Sequence, residues 1–168
     1  MKRIILITGG QRSGKSRQAE QLALSLTDRP VYVATAHIWD EEFHQRVCRH
    51  QQRRGPQWTN IEEEKYLSRH DLTGRVAVID CVTLWLTNFF FVNADVDATL
   101  EAVKAEFDRF TRPDATYIFV TNEIGSGGVS ENAIQRKFTD LEGWMNQYIA
   151  SLADEVILMV SGIAVKIK

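Results

Sequence analysis

The chain has 168 residues, with 20 lysines and arginines against 22 aspartates and glutamates and a formal charge of −2. That length supports one well-buried core rather than two independent units, so residues 1–168 read as a single domain, and the balance of charge lacks the basic field that nucleic acid requires. Cys48 and Cys81 stand apart without a C-x-x-C partner, which excludes a disulfide framework and a zinc knuckle and fits reduced thiols in a cytoplasmic protein; the apolar runs Ile4 to Ile7 and Leu84 to Val92 are too short for a signal-peptide core or a bilayer span.

In chain order, Arg3-Ile4-Ile5-Leu6-Ile7-Thr8 predicts a short buried strand, and Arg17 to Leu26, with Ala19, Leu22, Ala23 and Leu26 at helical spacing, predicts a helix. Thr27-Asp28-Arg29-Pro30 is a turn and Val31-Tyr32-Val33-Ala34-Thr35 a second strand, a β-α-β start that implies a parallel sheet. Asp40-Glu41-Glu42 places acids where a helix begins and Arg53-Arg54-Gly55-Pro56 places bases and breakers where it ends, which predicts a helix over about 40–53. Arg75 to Asp80 is a third strand ending in a carboxylate, Asp97 to Phe110 a helix, and Thr116 to Glu123 a fourth strand ending in polar residues. After Gly125-Ser126-Gly127-Gly128 a long helix runs from about Glu131 to Leu152, striped by Ile134, Phe138, Leu141, Met145, Tyr148 and Leu152. Glu155 to Val160 and Ala164 to Ile167, around Ser161-Gly162, form a C-terminal antiparallel hairpin. Phe89-Phe90-Phe91 is an apolar cluster that suits core or a partner surface. The fold class is α/β, a mostly parallel sheet flanked by helices.

Gly9-Gly10-Gln11-Arg12-Ser13-Gly14-Lys15-Ser16 fits G-x-x-x-x-G-K-[ST], the P-loop pattern, between the first strand and the first helix. Glycines let backbone N–H groups turn inward around phosphates, and the helix N-terminus adds a favourable dipole. Lys15 then reaches the β- and γ-phosphates of a nucleoside triphosphate, and the Ser16 hydroxyl holds Mg²⁺. Asp80 closes its apolar strand in the manner of a Walker-B acid that binds the same ion directly or through water. Glu123 leaves another strand at the same carboxyl edge, where open α/β folds bind ligands, and the sequence does not rank the two acids.

His50 falls on the stripe of Phe43 and Val47, so its ring faces the protein body. Arg46, Arg49, Arg53 and Arg54 surround it in sequence, a cluster that favours phosphate oxygens and keeps an imidazole neutral and nucleophilic near pH 7. Residue types alone favour a core histidine over a catalyst here. His44 and Cys48 lack a third ligand and read as structural, and His37 and His70 have no evident chemical neighbours.

Together these residues resemble one family along nearly the whole chain: the bifunctional adenosylcobinamide kinase/adenosylcobinamide-phosphate guanylyltransferases of cobalamin biosynthesis. The resemblance rests on Thr8 to Ser16, Tyr32-Val33-Ala34-Thr35, Arg46-Val47-Cys48-Arg49-His50 with Trp58 and Glu62, Val120 to Gly125, Arg136 to Asp140, Gly143, Asn146-Gln147, and Val160-Ser161-Gly162-Ile163. It implies a P-loop (RecA-like) NTPase fold, ATP and GTP as substrates with Mg²⁺, adenosylcobinamide and its phosphate as acceptors, and a homotrimer. It also implies that His50 is the guanylylated histidine. Nucleotide contacts carry over to Gly9, Gly10, Gln11, Arg12, Ser13, Gly14, Lys15 and Ser16, to Ala34, Thr35 and Ala36, to Gln51, Gln52, Arg53 and Arg54, and to Glu62 and Asp80, with Ser16 and Asp80 at the metal. Gln11 stands where a small residue is usual, Ala36 where serine is common, Arg49 where histidine occurs, and Ser130 where proline is usual. Without the histidine nucleophile the same residues describe a P-loop kinase of a small metabolite; a nucleotide-switched binding module is the reading from another class.

Overall fold

The computed structural model describes residues 1–37, 41, 45, 48, 54–92 and 94–168. Its framework is one sheet of seven strands: β1 (Arg3–Gly9), β2 (Val31–Ala34), β3 (Thr59–Glu62), β4 (Val76–Asp80), β5 (Thr116–Val120), β6 (Glu155–Val160) and β7 (Ile163–Lys166), in the spatial order β3-β2-β4-β5-β1-β6-β7. All pairs are parallel except β6 with β7, so the expected C-terminal hairpin is present. The described helices are α1 (Lys15–Leu26), α2 (Val82–Phe90), α3 (Val96–Phe110) and α4 (Ala133–Leu152), with a 3₁₀ turn at Leu67–Arg69. Among the described residues no helix is long and apolar enough to cross a membrane.

Side chains of a strand alternate between faces, and here both faces are covered, which is why the central strands read as unbroken apolar runs. Ile4 and Leu6, Val31 and Val33, Ala77 and Ile79, and Tyr117 and Phe119 point to the face covered by α2, α3 and α4, where Trp85, Phe90, Phe107, Leu141, Met145 and Ile149 meet them. Ile5 and Ile7, Tyr32, Val78, Ile118 and Val120 point to the other face, onto Ala19 and Ala23 of α1. The small alanines bring α1 close to the sheet, while Leu26 of the expected stripe stays exposed. The register sets Ala34 beside Asp80 and Asp80 beside Val120, so the carboxyl ends of β2, β4 and β5 share one edge.

Two elements were not expected. β3 is a four-residue edge strand, Thr-Asn-Ile-Glu, with no buried position, so it carries no apolar run to detect. In α2 the buried set Val82, Trp85, Leu86 and Phe90 has helical spacing, but Leu84, Phe89 and Phe91 around it blur the period; the Phe89-Phe90-Phe91 cluster is the end of this helix, with Phe90 in the core and Phe91 exposed. Two expected elements shorten. β5 stops at Val120, leaving Thr121-Asn122-Glu123 as the loop beyond it, and Asn132 caps α4, accepting from the N–H groups of Ile134 at 2.9 Å and Gln135 at 3.0 Å. In α4, Ile134 and Leu152 are exposed and Ile149 is buried in their stead. The helix expected over 40–53 lies mostly outside the described residues, of which Glu41, Gln45 and Cys48 are helical.

Two carboxylates are buried among the helices and differ in how they are satisfied. Glu106 of α3 accepts from Ser68 N at 2.8 Å and from Arg109 Nη2 at 2.7 Å, which pins the 3₁₀ turn to α3. Glu142 of α4 is 1% exposed, accepts a short hydrogen bond from the Thr83 hydroxyl of α2, and its Oε2 has no hydrogen-bond partner among the described residues. Burial pushes the Glu142 carboxyl up to about 7, Glu123 adds to the rise, and Thr83, Thr121 and Lys15 oppose it.

A carboxyl raised on folding stabilises the native state through its neutral form: fully below the ordinary value of 4.5, and progressively less as pH rises through about 7. Glu142→Gln, which stays neutral throughout, is therefore expected to lose about 2 to 3 kcal/mol less stability than the parent between pH 5 and pH 8. Urea unfolding of both proteins at the two pH values measures this, and equal losses would remove Glu142 as the cause.

Candidate active site

β1 ends where the phosphate loop begins, at the edge shared by the strand ends. Gly9 has φ +155°, and a Cβ there would lie 2.7 Å from both the Met159 carbonyl oxygen and Ser13 Oγ, so no larger residue fits. Gly14, at φ +94°, closes the loop in the left-handed region and starts α1, and Arg12 also takes a positive φ of 56°. Lys15 is buried and its Nζ donates to the Gly10 carbonyl oxygen at 2.6 Å. Burial lowers the Lys15 pKa, while Asp80, Cys81 and Glu142 pull it back up. Ser13 Oγ is buried within the loop without a hydrogen-bond partner among the described residues.

Asp80 joins the loop to the sheet. Its Oδ2 accepts from Ser16 Oγ at 2.5 Å and from the Tyr32 hydroxyl at 2.7 Å. Burial, and then Asp80, hold the Tyr32 phenol well above its ordinary pKa, so it stays a donor. Arg54 covers the Tyr32 ring, its guanidinium carbon 3.6 Å from the ring centroid, while Nε donates to Asn60 Oδ1 at 2.9 Å and Nη1 lies 3.7 Å from Glu20 Oε1. The Arg54 side chain is 2% exposed, so its charge is held inside this network.

Thr35 is fully buried beyond β2. Its hydroxyl donates to the Cys81 carbonyl oxygen at 2.8 Å and accepts from Cys81 N at 2.9 Å, and its N–H donates to the Asp80 carbonyl oxygen at 3.1 Å. Asn88 of α2 donates to the carbonyl oxygens of Thr35 at 2.7 Å and Glu64 at 2.8 Å, tying the ends of β2 and β3 together. Ala34 and Ala36 flank Thr35 and are half-buried, and Glu62 is exposed at the end of β3, in register with Ala34. Burial pushes the Cys81 thiol up to about 12, so it is no nucleophile near neutrality.

Beyond β5, the Thr121 hydroxyl donates to Asn146 Oδ1 at 2.7 Å, so the Thr-Asn-Glu loop and the Asn-Gln pair of α4 meet in space. Glu123 N donates to the Gly9 carbonyl oxygen at 2.9 Å, placing this exposed acid at the rim of the phosphate loop. Its two carboxylate oxygens accept from Gly125 N and Ser126 Oγ, each at 2.7 Å.

The fold thus gathers Gly9 to Ser16, Thr35, Asp80 and Glu123 at one edge, with Tyr32 and Arg54 supporting Asp80 from β2 and beyond. The Ser16 hydroxyl and Asp80 carboxylate supply the oxygen donors that Mg²⁺ accepts alongside phosphates and water, so these residues fit the ion. His50, Gln51, Gln52 and Arg53, with Phe43, His44, Arg46, Val47 and Arg49, lie outside the described residues. Sequence reasoning missed Tyr32 as the second donor to Asp80; its alternation onto the α1 face was the available signal. It missed Glu142, whose place on the buried stripe of α4 was readable. His37 and His70 do have partners: His37 Nδ1 lies 2.8 Å from Glu64 Oε1, and His70 Nε2 lies 3.5 Å from Glu63 Oε2.

A family model described as cobinamide kinase / cobinamide phosphate guanyltransferase matches residues 5–167. The chain is 38% identical to the bifunctional adenosylcobalamin biosynthesis protein CobU of Escherichia coli (strain K12), over 98% of this chain and 99% of that protein. It is 39% identical to CobU of Salmonella typhimurium, over the same shares. It is 35% identical to the bifunctional adenosylcobalamin biosynthesis protein CobP of Pseudomonas aeruginosa, over 97% of this chain and 96% of that one. Among solved structures, an ATPase from the type III secretion system of pathogenic bacteria matches with a TM-score of 0.58 at 10% identity, covering 98% of this chain and 56% of that one, a likeness of fold. The chain belongs to the CobU family of cobinamide kinase / cobinamide phosphate guanyltransferases.

Proposed function

We propose that this member of the CobU family phosphorylates adenosylcobinamide and then transfers GMP from GTP to the product, giving adenosylcobinamide-GDP. The observation that carries the reading is the family match over residues 5–167, on a chain whose P-loop serine is hydrogen-bonded to a strand-end carboxylate.

In the first reaction the substrate hydroxyl oxygen attacks the γ-phosphorus of ATP or GTP, and the nucleoside diphosphate leaves. The loop N–H groups and Lys15 balance charge on the transferred phosphoryl group. Ser16 and Asp80 would hold Mg²⁺, which when bound neutralises phosphate charge. Asp80 is oriented for this by two hydroxyl donors on one oxygen, which leaves Glu123, exposed at the loop rim, as the acceptor of the hydroxyl proton.

In the second reaction an imidazole nitrogen of His50 attacks the α-phosphorus of GTP, pyrophosphate leaves, and GMP remains on the histidine as a phosphoramidate. A phosphate oxygen of adenosylcobinamide phosphate then displaces the histidine, forming the diphosphate. Ala34, Thr35, Ala36, Gln51, Gln52, Arg53, Arg54 and Glu62 are the further residues assigned to this nucleotide through the family resemblance, Arg54 acting through Tyr32 and Asp80. The enzyme works in the cytoplasm as a homotrimer. Support for self-association comes from β7, an edge strand whose Ile163 and Val165 are exposed, as is Ile167 just beyond it.

Incubation with Mg²⁺ and GTP labelled at the α- or γ-phosphate tests the second reaction. An acid-labile adduct that retains the α-label only, and is absent from His50→Ala, is expected; no α-label while GTP binds would leave a P-loop kinase of a small metabolite. Glu123→Gln is expected to slow phosphorylation of adenosylcobinamide about 100-fold while leaving GMP loading of His50 within about twofold; full kinase activity would reject Glu123 as the base. Light scattering on the purified chain is expected to give three times the chain mass.

A further inference from the structure

In the sheet β1 lies between β5 and β6, and the segment beyond each of these neighbours is fastened to β1 or the phosphate loop. Past β6, the turn into β7 reaches the loop where Gly162 N donates to the Ser13 carbonyl oxygen at 3.0 Å. Past β5, the N–H groups of Thr121 and Glu123 donate to the carbonyl oxygens of Ile7 and Gly9, each at 2.9 Å, so this chain keeps its pairing with β1 for three residues beyond the strand. Alternate residues of an extended chain turn their N–H groups to opposite sides, and Asn122, between these two, points its own to the β4 side.

β4 has no carbonyl to offer there, because it ends at Asp80 and the chain enters α2 at Val82. The Thr83 hydroxyl, in the first turn of α2, replaces the missing acceptor and receives Asn122 N at 3.1 Å. A hydroxyl has one hydrogen and two lone pairs, so it is held as an acceptor for Asn122 when its own hydrogen is committed elsewhere. Glu142 of α4 commits it, with Oε1 accepting from Thr83 Oγ1. Asn146, one turn further along α4, accepts from the Thr121 hydroxyl at 2.7 Å and donates to the Asn122 carbonyl oxygen at 3.4 Å. Both backbone groups of Asn122 are thus governed from α4, one through Thr83 and one directly.

Glu142 is an expensive residue to place here. It is 1% exposed, and its Oε2 has no hydrogen-bond partner among the described residues, so burial of this carboxyl opposes folding. The reaction steps described above make no use of it. Burial is the main cause of its raised pKa, Glu123 adds to the rise and Lys15 opposes it, which sets Glu142 within the field of both residues.

Resting on the reading of Glu123 as the acceptor of the substrate proton, we propose that Glu142 is a positioning residue for phosphoryl transfer: by committing the Thr83 hydroxyl it fixes Asn122, and with it the aim of the Glu123 carboxylate at the rim of the phosphate loop. Steady-state phosphorylation of adenosylcobinamide by the full chain, with GMP loading of His50 measured on the same preparations, tests this. Glu142→Leu, which removes the acceptor for Thr83, is expected to lower kcat about tenfold while KM for ATP and GMP loading stay within about twofold of the parent. Glu142→Gln, which keeps an acceptor oxygen, is expected to hold kcat within about twofold of the parent. Thr83→Val removes the hydroxyl and keeps the branched shape; it is expected to reproduce the loss of about tenfold, and it carries the test if Glu142→Leu fails to fold. In the Glu123→Gln background, Glu142→Leu or Thr83→Val is expected to add a loss of less than about twofold, because no carboxylate remains to be aimed. An unchanged kcat in folded Glu142→Leu or in Thr83→Val, a loss confined to KM, an equal loss in Glu142→Gln, or a further loss of about tenfold in the Glu123→Gln background overturns the positioning role and leaves Glu123 standing as the base. Full kinase activity of Glu123→Gln alone overturns the base, and this proposal with it.

Discussion

A single carboxylate oxygen, Asp80 Oδ2, receives one hydroxyl from the phosphate loop and one from the sheet, and the geometry of the site follows from that sharing. Ser16 sits on the first turn of α1, Tyr32 on β2, and Asp80 at the end of β4, so the helix cannot shift over the sheet without breaking a charge-assisted hydrogen bond. Tyr32 is in turn held by the buried guanidinium of Arg54, which reaches Asn60 on β3 and Glu20 on α1. The position of Ser16 and Asp80, the pair proposed to hold the metal, is thereby determined by elements on both sides of it before any nucleotide arrives. Such preorganisation is what electrostatic stabilisation of a transferring phosphoryl group requires, because no energy is then spent on reorientation during the reaction.

The remaining strand ends are tied to the same edge by polar side chains from the opposite layer. Asn88 of α2 bridges the backbone beyond β2 and β3, and Asn146 of α4 receives Thr121 beyond β5. Irregular backbone at a sheet edge carries unpaired N–H and C=O groups, and these asparagines satisfy some of them from helices whose other faces are apolar core. The loops at this edge are in this way anchored to the rigid part of the fold, and motifs far apart in sequence become one assembly.

How much of this was readable in advance depended on how each element declares itself. The central strands and α1 were legible because two-sided burial forces continuous apolar runs and because the glycine pattern is tied to phosphate chemistry. β3 was not, since Thr59 to Glu62 owes its place to pairing with β2 rather than to burial. α2 was obscured by apolar residues on more than its core face, and the far end of β5 was over-read because Thr121 is fully buried though it lies in a loop. At the candidate site, the meeting of Lys15, Ser16 and Asp80 at one edge was legible from motif and position. The part played by Tyr32, the inward commitment of Arg54 and the half-satisfied Glu142 are contacts between residues distant in sequence, and no local pattern encodes them.

The hydrogen bond from Gly162 to Ser13 bears on how the molecule is made. On a ribosome the glycine loop emerges early, whereas the turn that buttresses it is translated after every other strand of the sheet except β7. A nascent chain therefore holds its phosphate-binding sequence for most of its synthesis without the wall that completes it. Competence to grip a nucleotide arrives late, with the docking of β6 against β1, so that a chain cut short before this hairpin lacks the finished loop rather than merely a tail.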